Sequence, residues 1–106
     1  MASSRGYLDF ILEQLSGLED ISYRAMMGEY IIYYKGKIVG GIYDDRFLVK
    51  SVPAAKRLMP EALYETPYEG AKKMLLADNV DDKDFLCGLL EAMLDELPAP
   101  KQKIRK

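Results

Sequence analysis

Four aspartates fall within seven residues, Asp78, Asp81, Asp82 and Asp84, and carboxylates at that density could hold a calcium ion. An EF-hand loop also needs a central glycine and a glutamate at its twelfth position, and neither stands in place here. The same aspartates suit the N-terminus of a helix, where the macrodipole favours negative charge. The chain has no histidine, so it carries no Ser-His-Asp triad, no imidazole base and no His-bearing zinc site. Its single cysteine, Cys87, is flanked by apolar residues and reads as a buried packing thiol, because a nucleophile needs a base or an electropositive pocket. Gly36, Gly40 and Gly41 match neither G-x-x-x-x-G-K-[ST] nor G-x-G-x-x-G, so they read as turn and bulge residues. No catalytic, metal or cofactor motif is present.

Binding chemistry is better represented. Tyr23, Tyr30, Tyr33, Tyr34 and Tyr43 could form an aromatic platform for single-stranded nucleic acid. Strand alternation places Tyr30 and Tyr34 on one face and Tyr33 on the other, which assigns part of the set to a core. Lys35, Lys37 and Lys50 lie nearby but are offset by Glu29, Asp44 and Asp45. Lys101, Lys103, Arg105 and Lys106 form a basic tail that could add salt-dependent affinity for phosphates or simply keep the terminus solvated. Arg24 stands among apolar neighbours, so its guanidinium is expected to meet a carboxylate, Asp45 or Glu29.

These residues are positioned by elements whose signals are readable. Tyr7, Phe10, Ile11, Leu15 and Leu18 recur at helical spacing, predicting a helix over about 4–16. Ser3 or Ser4 would cap its start and Gly17 would end it in a left-handed conformation. From Ile21 to Lys50 the period becomes two, predicting strands at Ile21–Met26, Tyr30–Tyr34, Ile38–Tyr43 and Arg46–Lys50. Lys35-Gly36 and Asp44-Asp45 are the turns, so the four form an antiparallel meander. Gly40-Gly41 marks a bulge or a close backbone approach. Pro53–Met59 reads as a short helix with Pro53 in its first turn. Residues 61–70 read as irregular, with Tyr64 and Tyr68 pinning the loop to the sheet, and Lys73–Ala77 as a last strand. Asp81 is the expected cap of a final helix, with Asp84 completing an imperfect capping box and Val80 and Phe85 a hydrophobic staple. Phe85, Leu86, Leu89, Leu90, Met93, Leu94 and Leu97 form its apolar stripe, and Pro98 stops it.

The expectation is therefore an α+β fold: an antiparallel sheet of about five strands with helices packed against it, in the order α-β-β-β-β-α-β-α. At 106 residues the chain suits one domain, residues 1–98, followed by a basic, disordered tail, 99–106. The residues are 49% apolar and 30% charged, with a net charge of −2, which argues against a nucleic-acid footprint over the whole surface. No run is long enough to span a bilayer or serve as a signal peptide, and one cysteine fits a reducing compartment, so a cytoplasmic protein is expected.

Arg24-x-Met26-Met27-Gly28-x-Tyr30, a hairpin, then Asp44-Asp45-Arg46-Phe47-Leu48-Val49-Lys50, Pro67-x-x-Gly70-Ala71-Lys72 and a terminal Leu97-Pro98-Ala99-Pro100-Lys101 follow in order. This arrangement resembles the N-terminal domain of the TfoX (Sxy) family over nearly the whole chain. Met27 stands where the family commonly has an aromatic, and Ile31 where a glycine is common. Longer members carry a second, C-terminal domain; this chain reads as a stand-alone short form. The resemblance implies a bacterial, non-enzymatic regulator of natural competence. It would assist transcription of DNA-uptake genes together with a cyclic-AMP receptor-type transcription factor. It points to Arg24, Met26, Met27, Gly28, Tyr30, Asp45 and Lys50 as the signature and interaction residues, with Gly28 supplying a conformation other residues resist. A protein partner is expected ahead of nucleic acid or a small ligand, and an open sheet edge is compatible with monomer or homodimer.

Overall fold

Three tight turns organise the sheet. A computed structural model describes residues 4–26, 28–67, 70–77 and 79–97. Strands β1 (Ile21–Met26), β2 (Glu29–Tyr34), β3 (Lys37–Tyr43) and β4 (Arg46–Val49) follow one another as an antiparallel meander. Lys35 and Gly36 have φ of 53° and 82°, and Asp44 and Asp45 have 54° and 58°. Two successive positive φ values are what a two-residue hairpin needs to match the strands' right-handed twist. Aspartate tolerates that region because its short polar side chain can bond locally. Gly28, with φ 86°, serves the first turn.

Opposite Ile32 and Tyr33 the β2–β3 register shifts, so Ile32 faces Gly40 while Tyr33 faces Ile38. Val39 is the extra residue, and it is fully buried in the core. The bulge therefore lies at Val39, one residue before the Gly40-Gly41 pair, and at the glycines themselves it is the close backbone approach that is found. A Cβ on Gly40 would collide with the carbonyl oxygen of Leu48.

Helix α1 (Arg5–Gln14) precedes the sheet. The Ser4 hydroxyl caps it by accepting the Tyr7 N–H at 3.1 Å. Leu15, not Gly17, closes it, and Gly17 has no positive φ. A side chain at Gly17 would meet the Cys87 sulfur at 3.5 Å, so this glycine sits at a helix contact. After β4 come α2 (Pro53–Leu58), β5 (Tyr64–Glu65), β6 (Met74–Leu76) and α3 (Lys83–Leu94). Asp82, not Asp81, caps α3, its carboxylate accepting the Phe85 N–H at 3.0 Å.

The sheet has six strands in the order β1-β2-β3-β4-β6-β5, rather than about five. The added strand, β5, arises inside the segment read as irregular. Two residues are too few to show a period, and β5 exists because β6 pairs with it, Tyr64 opposite Leu75 and Glu65 opposite Met74. Tyr64 is tied to the sheet by that pairing while its side chain stays 52% exposed. Met27, Tyr68, Asp78, Ser3, Pro98 and the basic tail lie outside the described residues.

The helices pack on one sheet face. Leu8, Ile11 and Leu15, Ala54 and Ala55, and Leu86, Leu89, Leu90 and Met93 meet Ile32, Ile42, Phe47, Val49 and Leu75 in one core. Polar contacts fasten the periphery: Gln14 Nε2 donates to the Val80 carbonyl at 2.9 Å, Lys37 Nζ to the Leu94 carbonyl at 3.0 Å, and the Ala54 N–H to Glu96 at 2.7 Å. Among the described residues, no helix is long and apolar enough to cross a membrane.

Candidate functional site

Strand register sorts the signature residues between the two faces of the sheet. Ala25 opposes Tyr30 and Tyr23 opposes Ile32, and Ile32 belongs to the core, so these side chains lie on the helix side. Arg24 opposes Ile31 and Met26 opposes Glu29, which places Arg24 and Met26 on the helix-free side. Gly28 lies in the β1–β2 turn and Asp45 in the β3–β4 turn, at the same end of the sheet. There the Asp44 N–H reaches a Glu29 carboxylate oxygen at 3.2 Å and the Ser4 N–H reaches Asp45 at 2.8 Å. Lys50 follows the opposite end of β4.

Three expectations change accordingly. The five tyrosines do not share a platform. Tyr34 is 4% exposed in the core and Tyr43 7% exposed on the other face, while Tyr23 and Tyr30 meet edge-on at 6.0 Å beside α1. The guanidinium of Arg5 lies over the Tyr23 ring, 5.5 Å from its centre. Hydrogen bonding to Asp9 raises the pKa of Arg5 above its ordinary value. Arg24 is exposed on the edge strand. Among the described residues the ion pairs are Arg5–Asp9 and Arg46–Glu65, and Arg24 enters neither, because its strand lies at the sheet edge with solvent beside it. Cys87 is half-buried, not fully buried, with its thiol 3.6 Å from the Gln14 carbonyl where α1 meets α3.

The helix-free face carries a groove of about 530 Å³. Met26, Ile31, Ile38 and Met74 supply apolar walls from β1, β2, β3 and β6. Register explains their gathering: Arg46 and Leu48 alternate with core-facing Phe47 and Val49, and the parity that puts Leu48, itself fully buried, on the helix-free face puts Lys50 there as well. Lys50, Lys72 and Lys73 line the same groove together with Pro67, Ala71 and Tyr43. Tyr43 can lie close to the sheet because Gly41 has no side chain; a Cβ there would come within 2.7 Å of the ring. Among the described residues none of the three lysines is ion-paired. The one acid among the described lining residues, Glu96, already accepts the Ala54 N–H. The groove is thus apolar inside and cationic at its rim.

Two signature residues, Met26 and Lys50, come together in this groove. Arg24 shares its face, whereas Tyr30, Gly28 and Asp45 lie elsewhere. Lys73, Ile38 and Met74 were not marked by sequence reasoning. Lys72 appeared there only within Pro67-x-x-Gly70-Ala71-Lys72, and alternation about Leu75 was the one signal for Met74. Among the described residues no three His, Cys, Asp or Glu side chains gather as a metal site.

The TfoX N-terminal domain family matches residues 13–94, a span from within α1 to the last residue of α3 that holds the whole sheet. The chain belongs to this family. As a TfoX N-terminal domain it is similar to the uncharacterised 12.7 kDa protein in the trpE 5′ region of Spirochaeta aurantia. The two are 32% identical over 107 residues, covering 100% of this chain and 93% of that relative. No solved structure matches the chain. The family match encloses Arg24, Met26 and Lys50 and the whole Pro67–Met74 stretch, so the groove walls and their lysines are family territory, while Glu96 lies just beyond it.

Proposed function

We propose that this TfoX N-terminal domain is a non-enzymatic, cytoplasmic regulatory module that acts by binding a protein. Its role is the one the family resemblance implies: assisting transcription of DNA-uptake genes beside a cyclic-AMP receptor-type transcription factor. The observation that carries this reading is the helix-free sheet face, where Met26 at 40% and Ile38 at 37% exposure flank a groove in a rigid sheet. Apolar side chains gathered at one surface cost solvation free energy that a partner recovers, and methionine adapts to varied apolar partners. The other chemistry-bearing groups have structural work: Asp82 caps α3 and the Cys87 thiol faces a helix carbonyl.

The test is calorimetry between the purified, nuclease-treated chain and the cyclic-AMP receptor-type factor of the same organism. Binding is expected, weakened at least about tenfold by Met26→Asp and less by Arg24→Ala. No binding by the wild type, or binding that requires DNA and ignores both substitutions, overturns the reading.

A further inference from the structure

We infer that the lysine-rimmed groove receives an acidic peptide segment with an apolar anchor, supplied by the protein partner; this deepens the protein-binding reading and rests on it. Charge is the first argument. The chain as a whole is net negative at −2, yet Lys50, Lys72 and Lys73 converge on one groove in which the one acid among the described lining residues, Glu96, is held by a backbone N–H. Positive charge concentrated on an acidic protein selects an anionic partner and speeds its approach.

The groove walls decide which anion fits. Nucleic-acid bases stack on flat aromatic faces, and the aromatic ring among the described lining residues, Tyr43, is 7% exposed and pressed over Gly41. Met26, Ile31, Ile38 and Met74 instead offer aliphatic and thioether surface, suited to one or two leucine- or phenylalanine-sized anchors. An open groove of about 530 Å³ accommodates a short extended segment whose carboxylates flank the anchor and meet the lysines.

The experiment is selection of a random dodecamer peptide library on the full chain, followed by fluorescence anisotropy with one enriched peptide. Enrichment of Asp and Glu around a large apolar residue is expected. So is a loss of about tenfold or more in affinity in the Lys50→Glu/Lys72→Glu/Lys73→Glu variant and in Met26→Ser. These side chains are outside the core, so both variants should keep the wild-type melting temperature, and Met26→Ser, which changes no charge, reports on the apolar wall independently of the lysines. No enrichment, an enriched pool without acidic bias, or affinity that survives both variants overturns the inference. Oligothymidylate that displaces the peptide and binds more tightly also overturns it and assigns the groove to nucleic acid. Factor binding that the triple lysine variant retains overturns this inference alone, whereas absence of factor binding by the wild type overturns the reading beneath it.

Discussion

Gly40 and Gly88 are both glycines in regular structure, and they should respond to alanine with opposite signs. At Gly40 a methyl would collide with the Leu48 carbonyl oxygen and lie 2.7 Å from the Val49 Cα. These are backbone atoms of the central strand and cannot move aside. Gly40→Ala is expected to cost about 3 kcal/mol or more. Gly88 is exposed in α3, and a methyl group added there would have no neighbour within 4 Å. Gly88→Ala should therefore stabilise by about 0.5–1 kcal/mol, because alanine has less backbone entropy to lose. Urea unfolding of the two variants checks both signs. Gly28→Ala falls between, at about 1–2 kcal/mol, since φ 86° is a left-handed conformation that a side chain resists.

At the scale of elements, stability is distributed unevenly. β3 and β4 are central and largely buried, whereas β5 is two residues long and depends on β6 and on Arg46, whose guanidinium pairs with Glu65. That pair is about a third exposed, so its contribution is on the order of 1 kcal/mol and is reduced by salt. Glu65→Gln should speed amide exchange at Leu76, whose N–H bonds the Leu63 carbonyl, and leave β3 amides unchanged. Slower or equal exchange at Leu76 would show that strand pairing alone holds β5. The start of α3 rests on one carboxylate, and Asp82→Ala should cost about 1 kcal/mol in thermal or urea unfolding, while Asp81→Ala should cost little.

Over the whole molecule the core closes at Leu97, which is 5% exposed, with Glu96 tied to α2 just before it. Removing residues 98–106 should leave the melting temperature within about 1–2 °C of the full chain, since the described core runs through Leu97. Removing Leu97 as well should cost about 2 kcal/mol or more through the lost apolar burial. Differential scanning calorimetry of the two truncations separates these outcomes. Global charge and local charge also part company at this scale. A chain of net charge −2 presents a cationic groove because folding brings Lys50 together with Lys72 and Lys73, which are far from it in sequence.

Local rules were enough for the meander. Alternation placed Phe47 and Val49 opposite Leu48, and Lys35-Gly36 and Asp44-Asp45 marked turns that only certain residues tolerate. Helical periodicity placed α1 and α3, although their ends shifted by a residue or two because caps depend on which side chain reaches which N–H. Gly40-Gly41 announced the close approach, since a strand gives up two side chains in a row only where a neighbour needs the space. Arg24, Met26, Gly28 and Tyr30 were recognised as a series along the chain, but a series does not say which face each residue occupies. Pairing of β1 with β2 made that division, and pairing of β6 with both β4 and β5 created a strand that had no sequence signal of its own. The groove likewise depends on contacts between distant segments. Periodicity reports on neighbours a few residues apart, whereas the meeting of Met26, Lys50 and Lys73 is set by the order of strands across the sheet, which only the packed tertiary structure decides.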